Sequence, residues 1–203
     1  DIHVHVFHGT QEDHYLSDGL SALPPDGFTL RVGVTTIVDC GGAGWRNFSI
    51  FKKNVIDKST TRVLSFLNIV GNGMRGGNWE QDIADMDPKL AANTARGNKA
   101  YIVGFKLAHF SGNDWTPTDR VVEAGRQANM PVIIDFGGAR PALSLEELFM
   151  KRLRPGDIYT HAYAKLDGSR ETILDEASGT LRSFIPAARE RGIVFDVGYG
   201  GAS

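Results

Sequence analysis

Seven short runs rich in Val, Ile and Phe, separated by helix-like segments, predict an α/β fold with a parallel sheet, a (β/α)8 TIM-type barrel represented by strands 1 to 7. The runs cover residues 2–7, 35–39, 63–70, 102–107, 132–136, 158–161 and 193–197. They are nearly continuous in apolar side chains instead of alternating, as expected for strands buried on both faces. The segments between them carry helix start and stop signals. Strand, helix and strand repeated in this way impose right-handed crossovers and a parallel order.

The first run, Asp1-Ile2-His3-Val4-His5-Val6-Phe7, places two histidines at i and i+2. In a strand these share one face while Ile2, Val4 and Val6 pack on the other, which is half of a metal site. Gly41-Gly42-Ala43-Gly44 and Gly71-Asn72-Gly73 follow the second and third runs and lack a phosphate-loop pattern, so they read as tight strand-to-helix turns. The fourth run ends in Gly104-Phe105-Lys106-Leu107, and a lysine in an apolar strand is costly unless paired, modified or functional. Thr116-Pro117-Thr118-Asp119 then places Pro at the first helical position. The fifth run ends at Asp135, which either serves the site or caps the Gly137-Gly138 turn. Ser144-Leu145-Glu146-Glu147 fits a capping box, with Leu145, Leu148, Phe149 and Leu153 on one face of the helix it opens. The sixth run closes with Thr160-His161, and Gly192 stops the helix before the seventh.

At 203 residues and 41% hydrophobic, the chain can bury a sizeable core, and one domain over residues 1–203 is expected. A net charge of −2 without long runs of either sign implies neither a nucleic-acid nor a membrane-surface partner. Cys40 is the single cysteine, which excludes an internal disulfide. No apolar stretch is long enough to span a membrane, and a cytoplasmic location is expected.

His3, His5, Asp39, Asn68, Lys106, Asp135, His161 and Tyr199 all fall at or just beyond the C-terminal ends of the predicted strands, the end where barrel enzymes build their sites. His-x-His ending the first strand, a lysine ending the fourth and histidine in a T-H-x-[FY] setting ending the sixth resemble the amidohydrolase superfamily. Its amidohydrolase/deacetylase branch, related to dihydroorotases and adenine deaminases, is similar through DIHVHVF, GVTTIVDCGGAG, VGFKLAHFSG, DWTPTDRVVEAGRQANMPVIIDFG, RPGDIYTHAY and GIVFDVGYGG, in order and properly spaced.

The resemblance implies one or two divalent ions, with Zn²⁺ suited best by imidazole and oxygen ligands and Mn²⁺, Fe²⁺ or Ni²⁺ left open. His3 and His5 would bind the more buried ion, Lys106 as its carbamate would bridge two, and His161 would bind the more exposed one. Two cations about 3.5–4 Å apart lower the pKa of a bridging water and polarise a carbonyl. Three departures stand out. Asp135 occupies the place of a fifth-strand histidine and is a candidate oxygen ligand. Gly198-Tyr199-Gly200 replaces a glycine-histidine-glycine. The eighth-strand aspartate that serves as general base is expected beyond Ser203, so no catalytic aspartate is named.

His109, Tyr199, Arg140 and Tyr163 are the candidates for substrate contact, whereas His8 and His14 read as loop residues. The implied function is a metal-dependent hydrolase of an amide or acyl bond (N-acyl, cyclic amide or ester) in a small molecule. The alternatives are a catalytically silent metal-binding barrel lacking the eighth-strand aspartate, and a metal-dependent lyase or isomerase. Selectivity resides in loops, which leaves the substrate open. An open seam between the first and seventh strands predicts association with further copies, or a longer polypeptide that supplies the closing strand, the aspartate and a small β-domain.

Overall fold

The computed structural model describes residues 1–8, 22–135, 139–164 and 170–198. Six strands pair in parallel and in chain order: β1 (Thr36–Gly44), β2 (Arg62–Asn68), β3 (Ile102–Leu107), β4 (Val132–Ile134), β5 (Ile158–Tyr159) and β6 (Val194–Phe195). Between them run α1 (Phe48–Asn54), α2 (Pro88–Gly97), α3 (Thr116–Ala128), α4 (Leu145–Glu147) and α5 (Phe184–Glu190). The architecture is a partial α/β barrel. Among the described residues no helix is long and apolar enough to cross a membrane.

Burial on both faces explains the continuous apolar runs. Ile37, Leu67, Phe105, Val132, Ile134 and Tyr159 pack with Phe51, Ala91, Val121, Leu148 and Phe149 of the helical layer. Val38, Cys40, Phe66, Ile133 and Ile158 form a second, smaller cluster on the opposite face. Lys106 lies opposite Ile133 in the ladder, so its stem belongs with this second cluster.

The helix signals work as their chemistry requires. Asp87 accepts from the N–H groups of Lys89 and Leu90 at 2.8 and 2.9 Å and opens α2 with Pro88 at its first position. Ser144 Oγ accepts from Glu147 N–H at 3.2 Å, and α4 then widens into a looser turn over Leu148–Arg152. Helix α3 starts one residue earlier than its proline suggests. Asp114 Oδ1 takes the Thr116 N–H at 2.9 Å and lets the helix begin at Thr116. Gly192, at φ +90°, follows the C-cap of α5 in the left-handed region that glycine enters without penalty.

The first run differs from the expected strand. Val4 makes a single parallel bridge to Asp39, with Val4 N–H donating to Val38 O at 3.2 Å and Cys40 N–H to Val4 O at 2.8 Å. Beyond this bridge a side chain replaces the backbone ladder. Asp39 Oδ2 accepts from the N–H groups of Val6 and Phe7 at 2.9 and 3.3 Å, and Oδ1 accepts from Gly42 N–H at 2.7 Å. Burial pushes the Asp39 carboxyl up to about 6, against the opposing pull of these three donors. One carboxylate therefore ties Val6 and Phe7, directly after His5, to the middle of β1.

Removing this tie should be felt throughout the rim. Asp39→Ala strands three buried N–H groups, each worth about 1–3 kcal/mol when left unsatisfied, and is expected to destabilise the protein by about 3 kcal/mol or more. Urea denaturation followed by circular dichroism measures the loss, and a midpoint equal to the wild type would refute the clamp.

Candidate active site

The site grows from Lys106, the next-to-last residue of β3, which is fully buried. Its stem fits only because Gly41 has no side chain: a Cβ there would lie 2.6 Å from Lys106 Cγ. β1 shifts register against β2 between Cys40 and Gly44, and Gly41 takes φ +90° within that irregularity. Lys106 Nζ stands 3.3 Å from Cys40 Sγ and 3.7 Å from Asp135 Oδ2. Burial alone draws the amine down, and Cys40 with Asp135 outweighs it, so the amine sits above the ordinary lysine value. Burial pushes the Cys40 thiol up to about 12, which keeps it uncharged near neutral pH. Asp135 is then the anion that balances Lys106.

Asp135, the residue after β4, gathers cations and imidazoles. His109 Nε2 lies 3.4 Å from its Oδ2, His161 Nε2 lies 3.6 Å from the same oxygen, and Arg170 Nη1 lies 3.8 Å from Oδ1. Burial works to raise the carboxyl, but Lys106 and His109 hold it well below the usual carboxylate range. His109 Nδ1 meets Glu80 Oε2 at 2.9 Å, and the pair of carboxylates, Asp135 and Glu80, pushes His109 up to about 10. His109 is thus an imidazolium held between two acids. Gln81 Nε2 fixes its backbone by donating to the His109 carbonyl at 2.7 Å.

Three further histidines face this network as neutral imidazoles. The His3 ring lies 5.3 Å from that of His5 and 4.9 Å from that of His161, centroid to centroid. Burial lowers His3 and His161, and burial with the Lys106 charge lowers His5 to about 3. His161 holds φ +52°, an uncommon backbone state for a residue other than glycine. Gly198 makes room beside it, since a Cβ there would lie 2.5 Å from His161 Nδ1.

The structure thus brings together His3, His5, Lys106, Asp135, His161 and His109. Arg140 is exposed. Tyr163 is 63% exposed and lines a cavity of about 550 Å³ with Ile173, Leu174 and Asp175. Tyr199 and His14 lie outside the described residues.

Three residues of the rim went unmarked in the sequence. Glu80 holds His109. Arg170, fully surrounded by protein, donates from Nε to Tyr159 Oη and from Nη2 to Thr160 O, both at 2.7 Å. Asp196 Oδ2 accepts from Thr160 Oγ1 at 2.6 Å. Only Asp196 had a visible signal, an acid closing an apolar run just as Asp135 does.

Among the described residues no group of three or more His, Cys, Asp or Glu side chains already stands in an arrangement able to hold an ion. The donor chemistry fits one nonetheless. His3 Nε2 and His161 Nδ1 are buried imidazole nitrogens with no hydrogen-bond partner among the described residues. Neutral imidazole is the form that ligates a metal.

No protein-family model matches the chain. A curated relative from Brucella anthropi named Deacetylase is 32% identical over 210 residues, covering 100% of this chain and 48% of its own length. The chain therefore spans about half the length of that relative. Among solved structures, an adenine deaminase superposes with a TM-score of 0.82 at 26% identity, covering 100% of this chain and 52% of its own. A dihydroorotase superposes with a TM-score of 0.80 at 30% identity, with the same coverage of 100% and 52%. Sequence and fold agree with about half of each of these proteins over the whole of this chain, and the chain belongs to the amidohydrolase superfamily.

Proposed function

We propose that this chain carries the metal-binding part of a hydrolase that cleaves an amide or acyl bond of a small molecule, with an acetyl group as the acyl portion. The observation that carries this reading is the meeting of three neutral imidazoles with a fully buried lysine and a buried carboxylate at the C-terminal rim. The relative from Brucella anthropi is named a deacetylase, which supports acetyl as the acyl group.

His3, His5 and His161 would hold a divalent ion, Zn²⁺ in the first instance, and Asp135 adds an oxygen donor beside His161. A bound ion would supply a Lewis acid for the substrate carbonyl and a water nucleophile near neutral pH. Lys106, once its ammonium has lost one proton, is proposed to add CO₂ at Nζ with loss of a second, turning a cation into a carbamate anion that would serve as an oxygen ligand between two ions. The bound ions, and not Asp135, would then balance the charge on residue 106. His109, pinned as an imidazolium, offers a fixed positive charge at the mouth. Substrate contacts by Arg140, Tyr163 and Tyr199 complete the proposal.

Two measurements test it. Equilibrium dialysis against Zn²⁺ with elemental analysis is expected to find bound metal, and His3→Ala should lower the affinity at least tenfold. Wild-type retention of zinc by His3→Ala under chelator challenge would sink the metal assignment. For the lysine, Lys106→Ala should abolish hydrolysis of N-acetyl substrates by the whole protein and regain part of it when a short carboxylic acid is added. Full activity in Lys106→Ala excludes the carbamate.

A further inference from the structure

We infer that Thr160 and Asp196 are positioning residues for His3, holding its ring in the Nδ1–H form so that Nε2 is presented, bare and buried, to a metal ion. The inference rests on the metal-site reading above and adds to it two residues from the opposite side of the barrel.

The proton positions follow from counting donors. Thr160 Oγ1 lies 2.6 Å from Asp196 Oδ2 and 2.7 Å from His3 Nδ1. A hydroxyl has one proton, and an ionised carboxylate can only accept. If Thr160 turned its proton toward His3, two oxygens would face each other at 2.6 Å with no proton between them. Thr160 therefore donates to Asp196, and its oxygen accepts from His3 Nδ1–H. A neutral imidazole carries a single N–H, so Nε2 is left with its lone pair. That nitrogen is buried without a hydrogen-bond partner among the described residues.

Both positioning residues are themselves fixed. Thr160 follows β5, with its N–H on Ile134 O at 3.1 Å and its carbonyl held by Arg170. Asp196 follows β6, with its N–H on Tyr159 O at 2.9 Å and its carbonyl accepting from Ala162 N–H at 3.1 Å. The direct approach of His3 Nδ1 to Asp196 Oδ2, at 3.5 Å, adds attraction of the same sign without replacing the hydroxyl. Outer partners of this kind set the tautomer of a ligating histidine, and losing them costs about 10–100-fold in metal affinity.

The test compares wild type, Thr160→Val, Thr160→Ser, Asp196→Ala and His3→Ala in the whole protein. Zn²⁺ affinity is measured by chelator competition, and the His3 tautomer by ¹⁵N NMR of the metal-free protein. Thr160→Val keeps the shape of the side chain and should weaken Zn²⁺ binding about 10–100-fold, whereas Thr160→Ser keeps the hydroxyl and should stay close to wild type. Asp196→Ala frees the hydroxyl to donate to Nδ1 and should move the His3 proton to Nε2. Wild-type His3 protonated at Nε2 overturns the inference, as does unchanged affinity in both Thr160→Val and Asp196→Ala while His3→Ala loses zinc. Undiminished zinc binding by His3→Ala instead removes the underlying metal reading, and the NMR result still judges the proton arrangement.

Discussion

Four basic side chains at the rim converge on one carboxylate. Asp135 faces Lys106, His109, His161 and Arg170 within 3.4 to 3.8 Å. A fully buried lysine without an anion nearby would be strongly unfavourable, and so would a buried carboxylate without cations. The strands that bring these groups together are therefore under a shared electrostatic requirement. β3 delivers the lysine, the end of β4 the carboxylate and the end of β5 the histidine. Shifting any one of them leaves an uncompensated charge inside the fold.

The sequence made the strand ends legible because burial on both faces leaves a simple mark, an apolar run ending in a polar residue. Lys106, Asp135 and His161 stood out for that reason, and the structure places them together. Contacts made by side chains across the barrel left no such mark. Asp39 was visible as a strand-end acid, but not that its carboxylate would take over the N–H groups of Val6 and Phe7 and leave the first run with a single bridge. Asp196 shared the pattern of Asp135, yet its meaning depends on Thr160, one strand away. Arg170 follows no motif, and its role appears only when its fork is seen on Tyr159 and Thr160. The start of α3 moved because an upstream aspartate, not the proline, set the first turn.

Comparison with the superfamily pattern gives the departure at the fifth strand a physical reading. An aspartate there places one negative charge beside both Lys106 and His109, which an imidazole could not do. A single carboxylate cannot balance both cations. Glu80 eases this by sharing the His109 charge at 2.9 Å.

Two of the most constrained positions in this site are ones with no side chain at all. Gly41 and Gly198 are each pressed against a residue of the rim, Lys106 in one case and His161 in the other. Both also hold a left-handed backbone, at φ +90° and +84°. In a survey of tolerated substitutions these glycines should look as intolerant as the histidines, for a steric and not a chemical reason. Variation at this end of the barrel is then directed away from these two positions, because neither admits a Cβ without displacing its neighbour.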